Sequence, residues 1–366
     1  MKKLPYIIIV FLFFGLLLLP QLADRFLGFA NSTDSENRNI TAFPNRFQYE
    51  KIAWQLEEYY NDRIPFRSIL LKCAHKIQQE LFPFANGYAV AGKNDFFFYQ
   101  PNNWENTLEH FRGRRALRQY ELNKQCKFMK KLYAFLRANN IDFLFVTAPN
   151  KIHVYPEYLP ERRLYEQSEN SPDRQFVKLM RKKHPAIPVL DLLPELLAAK
   201  KFYGDSLYYR ADTHWSPVGG YIGTANIIKH FTPDKRKLPP MPGEFAIKVG
   251  KKQEPDDMKN QAANKKTSAI YMEMVPDVAV FPGVITGNAR KNIQVSVNPN
   301  APDKRKVLVF RDSFTNNMQP YLSNHFREVH YIWTHRVSKK VISDIKPDIV
   351  IVEYVARLMY KMQTRF

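Results

Sequence analysis

Hydrophobic positions along this chain fall into several distinct patterns. The first is an unbroken apolar run, LPYIIIVFLFFGLLLLP over residues 4–20, preceded by Lys2 and Lys3. With Leu22 and Ala23 the run approaches the roughly 20 residues that cross a bilayer. A cleaved signal peptide carries an apolar core of only about 7–15 residues. The pattern predicts a signal-anchor transmembrane helix over residues 1–23. Lysines ahead of it place the N-terminus in the cytoplasm. The expected location is therefore the inner (cytoplasmic) membrane, single-pass, with the body in the periplasm or outside the cell.

Residues 24–85 read as a linker and helical lead-in, with apolar positions at helical spacing over 49–82 and a break near Pro65. NGYAVAGKNDFFFYQ, residues 86–100, reads as strand, turn and strand, the turn at Lys93, Asn94 and Asp95. From about residue 115 the period alternates between helix and strand. A long amphipathic helix precedes the strand IDFLFVTAPN (141–150), and a helix and the strand IPVLDLL follow. SPVGGYIGTANIIKHF predicts a helix capped by Ser216 with Pro217 in its first turn. The strand RKVLVF (305–310) leads into a turn and helix, then come EVHYIW, a helix, and the buried strand PDIVIVEYV (347–355). Such alternation predicts an α/β domain over residues 86–366, a parallel sheet flanked by helices. Residues 238–301 break the alternation, being rich in Pro, Lys and Asn, and read as a β-rich insertion with loops.

Charge narrows the partners. The chain holds 55 Lys and Arg against 35 Asp and Glu, a net charge of +20. That balance attracts polyanions: nucleic acid, anionic headgroups or acidic polysaccharide. The expected export argues against nucleic acid. The two cysteines, Cys73 and Cys126, fit either one disulfide or two buried thiols. Neither they nor His153, His230, His325 and His335 show metal-ligand spacing, so no metal and no cofactor are expected.

In open α/β sheets reactive groups gather at the carboxyl ends of strands. After KVLVF come Arg311, Asp312 and Ser313. A serine in a tight turn between buried strand and helix exposes its hydroxyl, and backbone N–H groups at the helix start can stabilise a developing oxyanion. The serine needs a base, and the base a carboxylate. RADTHWSP, residues 210–217, supplies His214 and Asp212. If that stretch is extended, residues two apart point the same way. Each residue also has a structural reading: Ser313 as an N-cap, His214 as a buried structural histidine, Asp212 and Asp312 as turn residues, Trp215 as packing. Asn150 and Lys151 end a strand near the expected site, as substrate-binding or oxyanion groups or as a solvated loop.

DTHW followed later by VLVFRDSF resembles the alginate O-acetyltransferase family, whose catalytic domain is SGNH-hydrolase-like. NRNITAFP, AGKNDFFFY, APNK (148–151) and a late strand followed by Arg357 agree with it. The resemblance implies Ser313 as nucleophile, His214 as base and Asp212 as its partner, with the Asp–His pair preceding the serine. It implies an extracytoplasmic enzyme moving acetyl groups onto an exopolysaccharide, with a membrane-bound acyltransferase partner as acetyl donor. Arg311 stands where the family places a small glycine, and either crowds the oxyanion site or holds an anionic sugar. The rival readings are a carbohydrate esterase with the same three residues and a non-catalytic, membrane-tethered glycan-binding scaffold.

Overall fold

A computed structural model describes residues 89–101, 103–160, 167–232, 245–251, 270–276, 284–288 and 293–366, with residues 14, 15, 43, 55–57 and 59. The chain divides into two compact units: Met1–Asn86 with Asn260–Asn264, and Gly87–Lys259 with Lys265–Phe366. In the first, residues 55–57 and 59 are helical, and the rings of Phe43 and Tyr59 meet edge-on at 5.0 Å. Among the described residues no helix is long and apolar enough to cross a membrane. That overturns the expected single-pass location in the inner membrane. The anchor expected over residues 1–23 lies outside the described residues apart from Phe14 and Gly15, as does most of the lead-in.

The second unit opens with a hairpin, β1 (Ala89–Ala91) and β2 (Phe97–Tyr99). Its turn carries Asn94 and Asp95 at φ of 54° and 60°, a left-handed conformation that Asn and Asp tolerate better than most residues. There follow α1 (Thr107–Phe111), α2 (Gln119–Ala138), β3 (Asp142–Ala148), α3 (Lys151–Val154), α4 (Pro172–Lys183), β4 (Val189–Asp191), α5 (Leu193–Tyr203) and α6 (Pro217–Phe231). Then come β5 (Phe245–Lys251), β6 (Ile270–Pro276), β7 (Val284–Asn288), β8 (Ile293–Val297), β9 (Asp303–Arg311), α7 (Gln319–His325), β10 (Phe326–Trp333), α8 (Lys339–Ile345) and β11 (Ile349–Val355).

Seven strands form the central sheet in the order β4-β3-β11-β9-β10-β8-β7. Neighbours from β4 to β10 are parallel. β8 runs antiparallel to β10, and β7 antiparallel to β8. The sheet is thus mixed, where a parallel one was expected. The connections explain this: β9 reaches β10 through α7, a crossover that permits a parallel pair, whereas the short link from β7 to β8 permits only an antiparallel one. β5 and β6 pair with each other as a separate antiparallel ribbon.

All seven residues of β11 are buried, which explains its continuous apolar run: a strand covered on both faces has no solvent side to mark by alternation. α2 buries Leu122, Cys126, Met129, Leu132 and Leu136, one stripe at helical spacing. Cys126 is a free buried thiol, and Cys73 lies outside the described residues. Strands β3, β11 and β9 end at one edge of the sheet, with Ala148 opposite Val355 and Phe310 opposite Val352. The loops leaving that edge carry the residues that follow.

Candidate active site

RADTHWSP folds as a tight loop. Tyr208 and Trp215 close it as an antiparallel bridge, and the Tyr209 N–H donates to the His214 carbonyl at 3.2 Å. Residues 210–214 between them are bends, not extended strand. The two-residue spacing of Asp212 and His214 is therefore that of an Asx turn and not of strand alternation. Asp212 Oδ1 accepts the His214 backbone N–H at 2.8 Å and lies 2.6 Å from His214 Nδ1. One carboxylate oxygen orients both the backbone and the ring.

A cap fixes the exit of this loop, and two hydrogen bonds hold it against the turn after β9. Ser216 caps α6, its hydroxyl oxygen accepting the N–H groups of Val218 and Gly219 at 3.1 and 3.4 Å while the hydroxyl donates to the Ser206 carbonyl. Buried Trp215 then donates its indole N–H to the Phe314 carbonyl at 2.8 Å, and Asn317 Nδ2 donates to the Trp215 carbonyl at 2.6 Å. Glycine at 220 permits the approach, since a Cβ there would sit 2.3 Å from the Asn317 carbonyl oxygen.

After β9 the chain enters a short 3-10 helix, Ser313–Asn317, before α7 begins. Asp312, not Ser313, caps it. Asp312 Oδ1 accepts the Phe314 N–H at 2.9 Å and Oδ2 the Val355 N–H at 2.7 Å. With capping assigned to its neighbour, Ser313 Oγ lies 2.6 Å from His214 Nε2. A continuous chain runs from Asp212 through both ring nitrogens of His214 to the serine hydroxyl. The His214 side chain is 25% exposed and that of Asp212 7%, so the carboxylate is sealed while the imidazole edge reaches solvent. Burial pushes the Asp212 carboxyl up, but the hydrogen bonds from His214 and the charge of Lys151 outweigh it and hold it below its ordinary value.

Lys151 and Asn150 are both buried. The Lys151 ammonium donates to the carbonyls of Tyr209, Arg210 and Asp212 at 2.9, 2.8 and 2.7 Å. Tyr208 adds a hydroxyl donation to the Pro149 carbonyl at 2.6 Å. The segment between β3 and α3 thereby pins the loop that carries Asp212. Both amide atoms of Asn150 are buried without a hydrogen-bond partner among the described residues. The Arg311 guanidinium donates to Asn316 Oδ1 at 2.6 Å and Gln294 Oε1 at 2.7 Å and stacks 4.4 Å from the Trp333 ring centre.

Sequence reasoning passed over Glu353. Buried in β11, its Oε2 accepts the Asp312 N–H at 3.2 Å and the Thr315 hydroxyl at 2.9 Å, and so grips the turn on both sides of Ser313. Burial, then the Asp312 charge, raise its pKa well above the ordinary value. The signal was a lone carboxylate inside the apolar run IVIVEYV. Among the described residues no group of three or more His, Cys, Asp or Glu side chains is placed to hold a metal ion.

Comparison with known proteins follows the same lines. The chain is similar to the probable alginate O-acetylase AlgJ of Azotobacter vinelandii, 24% identical over 186 residues, covering 50% of this chain and 44% of that protein. The Pseudomonas fluorescens protein of the same name is 25% identical over 203 residues, covering 54% of this chain and 46% of that one. The matched region thus spans less than half the length of these relatives. Among solved structures, Bacillus cereus PatB1 with a sulfonyl adduct shares the fold at a TM-score of 0.57 and 16% identity, over 76% of this chain and 100% of that one. The family described as "SGNH hydrolase-like domain, acetyltransferase AlgX" matches residues 90–334. This chain belongs to the AlgX family of SGNH hydrolase-like acetyltransferase domains.

Proposed function

We propose that the chain is a polysaccharide O-acetyltransferase that carries its acetyl group on Ser313. The observation that supports this best is the 2.6 Å contact between His214 Nε2 and Ser313 Oγ, on a ring whose other nitrogen is held by Asp212 at 2.6 Å. Ser313 Oγ attacks the carbonyl carbon of an acetyl ester as His214 Nε2 takes the hydroxyl proton. The tetrahedral intermediate collapses, the donor oxygen leaves with the proton from His214, and acetyl-Ser313 remains. A sugar hydroxyl then attacks that ester, His214 takes its proton, and collapse returns the proton to Ser313 Oγ. Asp212 keeps the ring in the tautomer this requires and stabilises the imidazolium.

In this reading residues 86–366 form the catalytic unit and 238–301 an insertion within it. Lys151, Arg311 and Glu353 position the reacting groups. The acceptor is an alginate-type acidic polysaccharide, in keeping with the named relatives and with a net charge of +20. The donor acetyl group arrives from a membrane-bound acyltransferase partner.

Incubating the purified protein with an acetyl ester and alginate tests the proposal. Mass spectrometry should find acetyl on Ser313 and then on the glycan, and Ser313→Ala should lose both. The partly exposed His214 ring gives water a path to the same intermediate. Acetate release with no glycan labelling would therefore assign the chain as an esterase. Unchanged glycan acetylation by Ser313→Ala would remove the proposal altogether.

A further inference from the structure

Among the described residues, the buried cations near the site divide into two whose charged ends are hydrogen-bonded within the fold and one whose charged end is not. Lys151 is spent on backbone carbonyls, and Arg311 on Asn316 and Gln294. Arg357, in the turn leaving β11, is 7% exposed. Its guanidinium carbon lies 5.3 Å from the ring centre of Tyr99 and 5.2 Å from that of Phe314. It makes no hydrogen bond or ion pair with any described residue. Its nitrogens are not among the sealed, unpartnered atoms, unlike Nε of Arg115 and of Arg311, so they face accessible space.

The place of this group matters as much as its isolation. Phe314 follows the serine, and its ring lies 5.2 Å from that of His214. Arg357 and the base therefore pack on the same aromatic side chain. The groups that feel the Arg357 charge include Tyr208 and His110. Neither supplies a negative charge: burial holds the tyrosine in its protonated form and the histidine in its neutral form. A guanidinium stays charged whatever its surroundings. Burying one without an anion is unfavourable, and two ring faces compensate only in part. Its planar fork matches a carboxylate through two parallel hydrogen bonds.

We propose that Arg357 is the acceptor-recognition residue, binding the carboxylate of an acidic sugar while that sugar chain presents a hydroxyl to Ser313. This rests on the transferase reading, which supplies the acceptor. Arg357 thereby selects acidic over neutral glycans at the site itself, apart from the general pull of a positively charged surface.

The test is calorimetric titration of an alginate oligosaccharide, and of the same oligosaccharide with its carboxyls reduced to alcohols, at one fixed salt concentration. Wild-type protein should bind the acidic form roughly 10–100-fold more tightly, the range of a charge-assisted hydrogen-bond pair. Arg357→Gln should bind both forms alike. Arg357→Lys, which keeps the charge but loses the fork, should fall between. Equal binding of both forms by the wild type overturns the proposal, as does wild-type discrimination retained in Arg357→Gln. If Arg357→Gln does not fold, the Arg357→Lys variant decides, and undiminished discrimination in it overturns the proposal. Binding needs no chemistry, so intact discrimination without acetyl transfer would sink the transferase reading alone. Transfer without discrimination would sink only the role of Arg357.

Discussion

The ammonium of Lys151 donates to the backbone carbonyl of Asp212 at 2.7 Å, so the first residue of α3 fixes the loop that carries the carboxylate. The same ammonium holds the carbonyls of Tyr209 and Arg210. A lysine is a conspicuous charge to bury, yet three convergent carbonyls around a point charge give it full hydrogen bonding. Replacing it with methionine keeps the length and leaves those carbonyls unpaired. We expect Lys151→Met to cost about 2–4 kcal/mol in stability and to lower kcat more than it raises KM. Lys151→Arg should not rescue it, because a flat fork cannot meet carbonyls that converge on a point. Thermal unfolding and acetyl-transfer kinetics check this, and an unimpaired Lys151→Met would show that the loop holds itself.

Asp212→Asn addresses the base. An amide in place of the carboxylate can present its N–H to His214 Nδ1 and reverse the tautomer, so that Nε2 carries the proton and cannot accept one from Ser313. The expected loss in kcat is on the order of a thousandfold or more. The carboxyl is held below its ordinary value, so it contributes stability that is present above that value and is lost as pH falls through the folded-state pKa. Acid unfolding of Asp212→Asn should therefore be less steep than that of the wild type. Equal steepness would mean that the carboxylate is not held by the fold.

How much of this was legible beforehand depended on how local each determinant is. The apolar run IVIVEYV and the helical spacing over 119–138 are each written within their own segment. The Ser216 cap and the Pro217 start are read within a few residues. The mixed character of the sheet was not legible, because β8, with β7 beside it, joins the sheet by pairing with β10, a partner distant in sequence. The pairing of Ser313 with His214 could be posed from residue types, yet the reason for the Asp212 and His214 spacing could not. An Asx turn and a short strand carry the same residues, and only the closing bridge between Tyr208 and Trp215 separates them. The burial of Lys151 and Arg311 was hidden for the same reason: a charged residue after a strand reads as surface until its partners are known.

Gly220 is where α6 touches the serine turn. A methyl group at this position would lie 2.3 Å from the Asn317 carbonyl oxygen and 2.6 Å from its carbon, and backbone cannot swing aside as a side chain can. Gly220→Ala should cost about 1–3 kcal/mol through overpacking. It should also push the 313–317 turn off the loop, lengthening the contact between His214 and Ser313. Labelling of Ser313 by a serine-reactive probe should slow in this variant even at temperatures where it is fully folded. Labelling at the wild-type rate in a folded Gly220→Ala would show that the close approach plays no part in aligning the two residues.

Glu353 gives the protein an expected pH dependence at the other end of the scale. Its ordinary value is 4.5, and burial followed by the Asp312 charge raises it well above that in the fold. The folded state therefore holds a proton that the unfolded state releases from about pH 4.5 upward. Wherever the folded state binds more protons, stability falls as pH rises. The Glu353 contribution is thus fully present below the unfolded value and declines until pH passes the folded-state value. Glu353→Gln mimics the protonated acid: its amide oxygen can accept from the Asp312 N–H and the Thr315 hydroxyl, while its NH2 group takes the place of Oε1. The variant should lose that decline and exceed the wild type in unfolding temperature by a margin that grows from pH 5 towards neutrality. Parallel unfolding curves for the two proteins across that range would mean that the carboxyl titrates alike folded and unfolded, and the grip on the serine turn would then have to come from Asp312 alone.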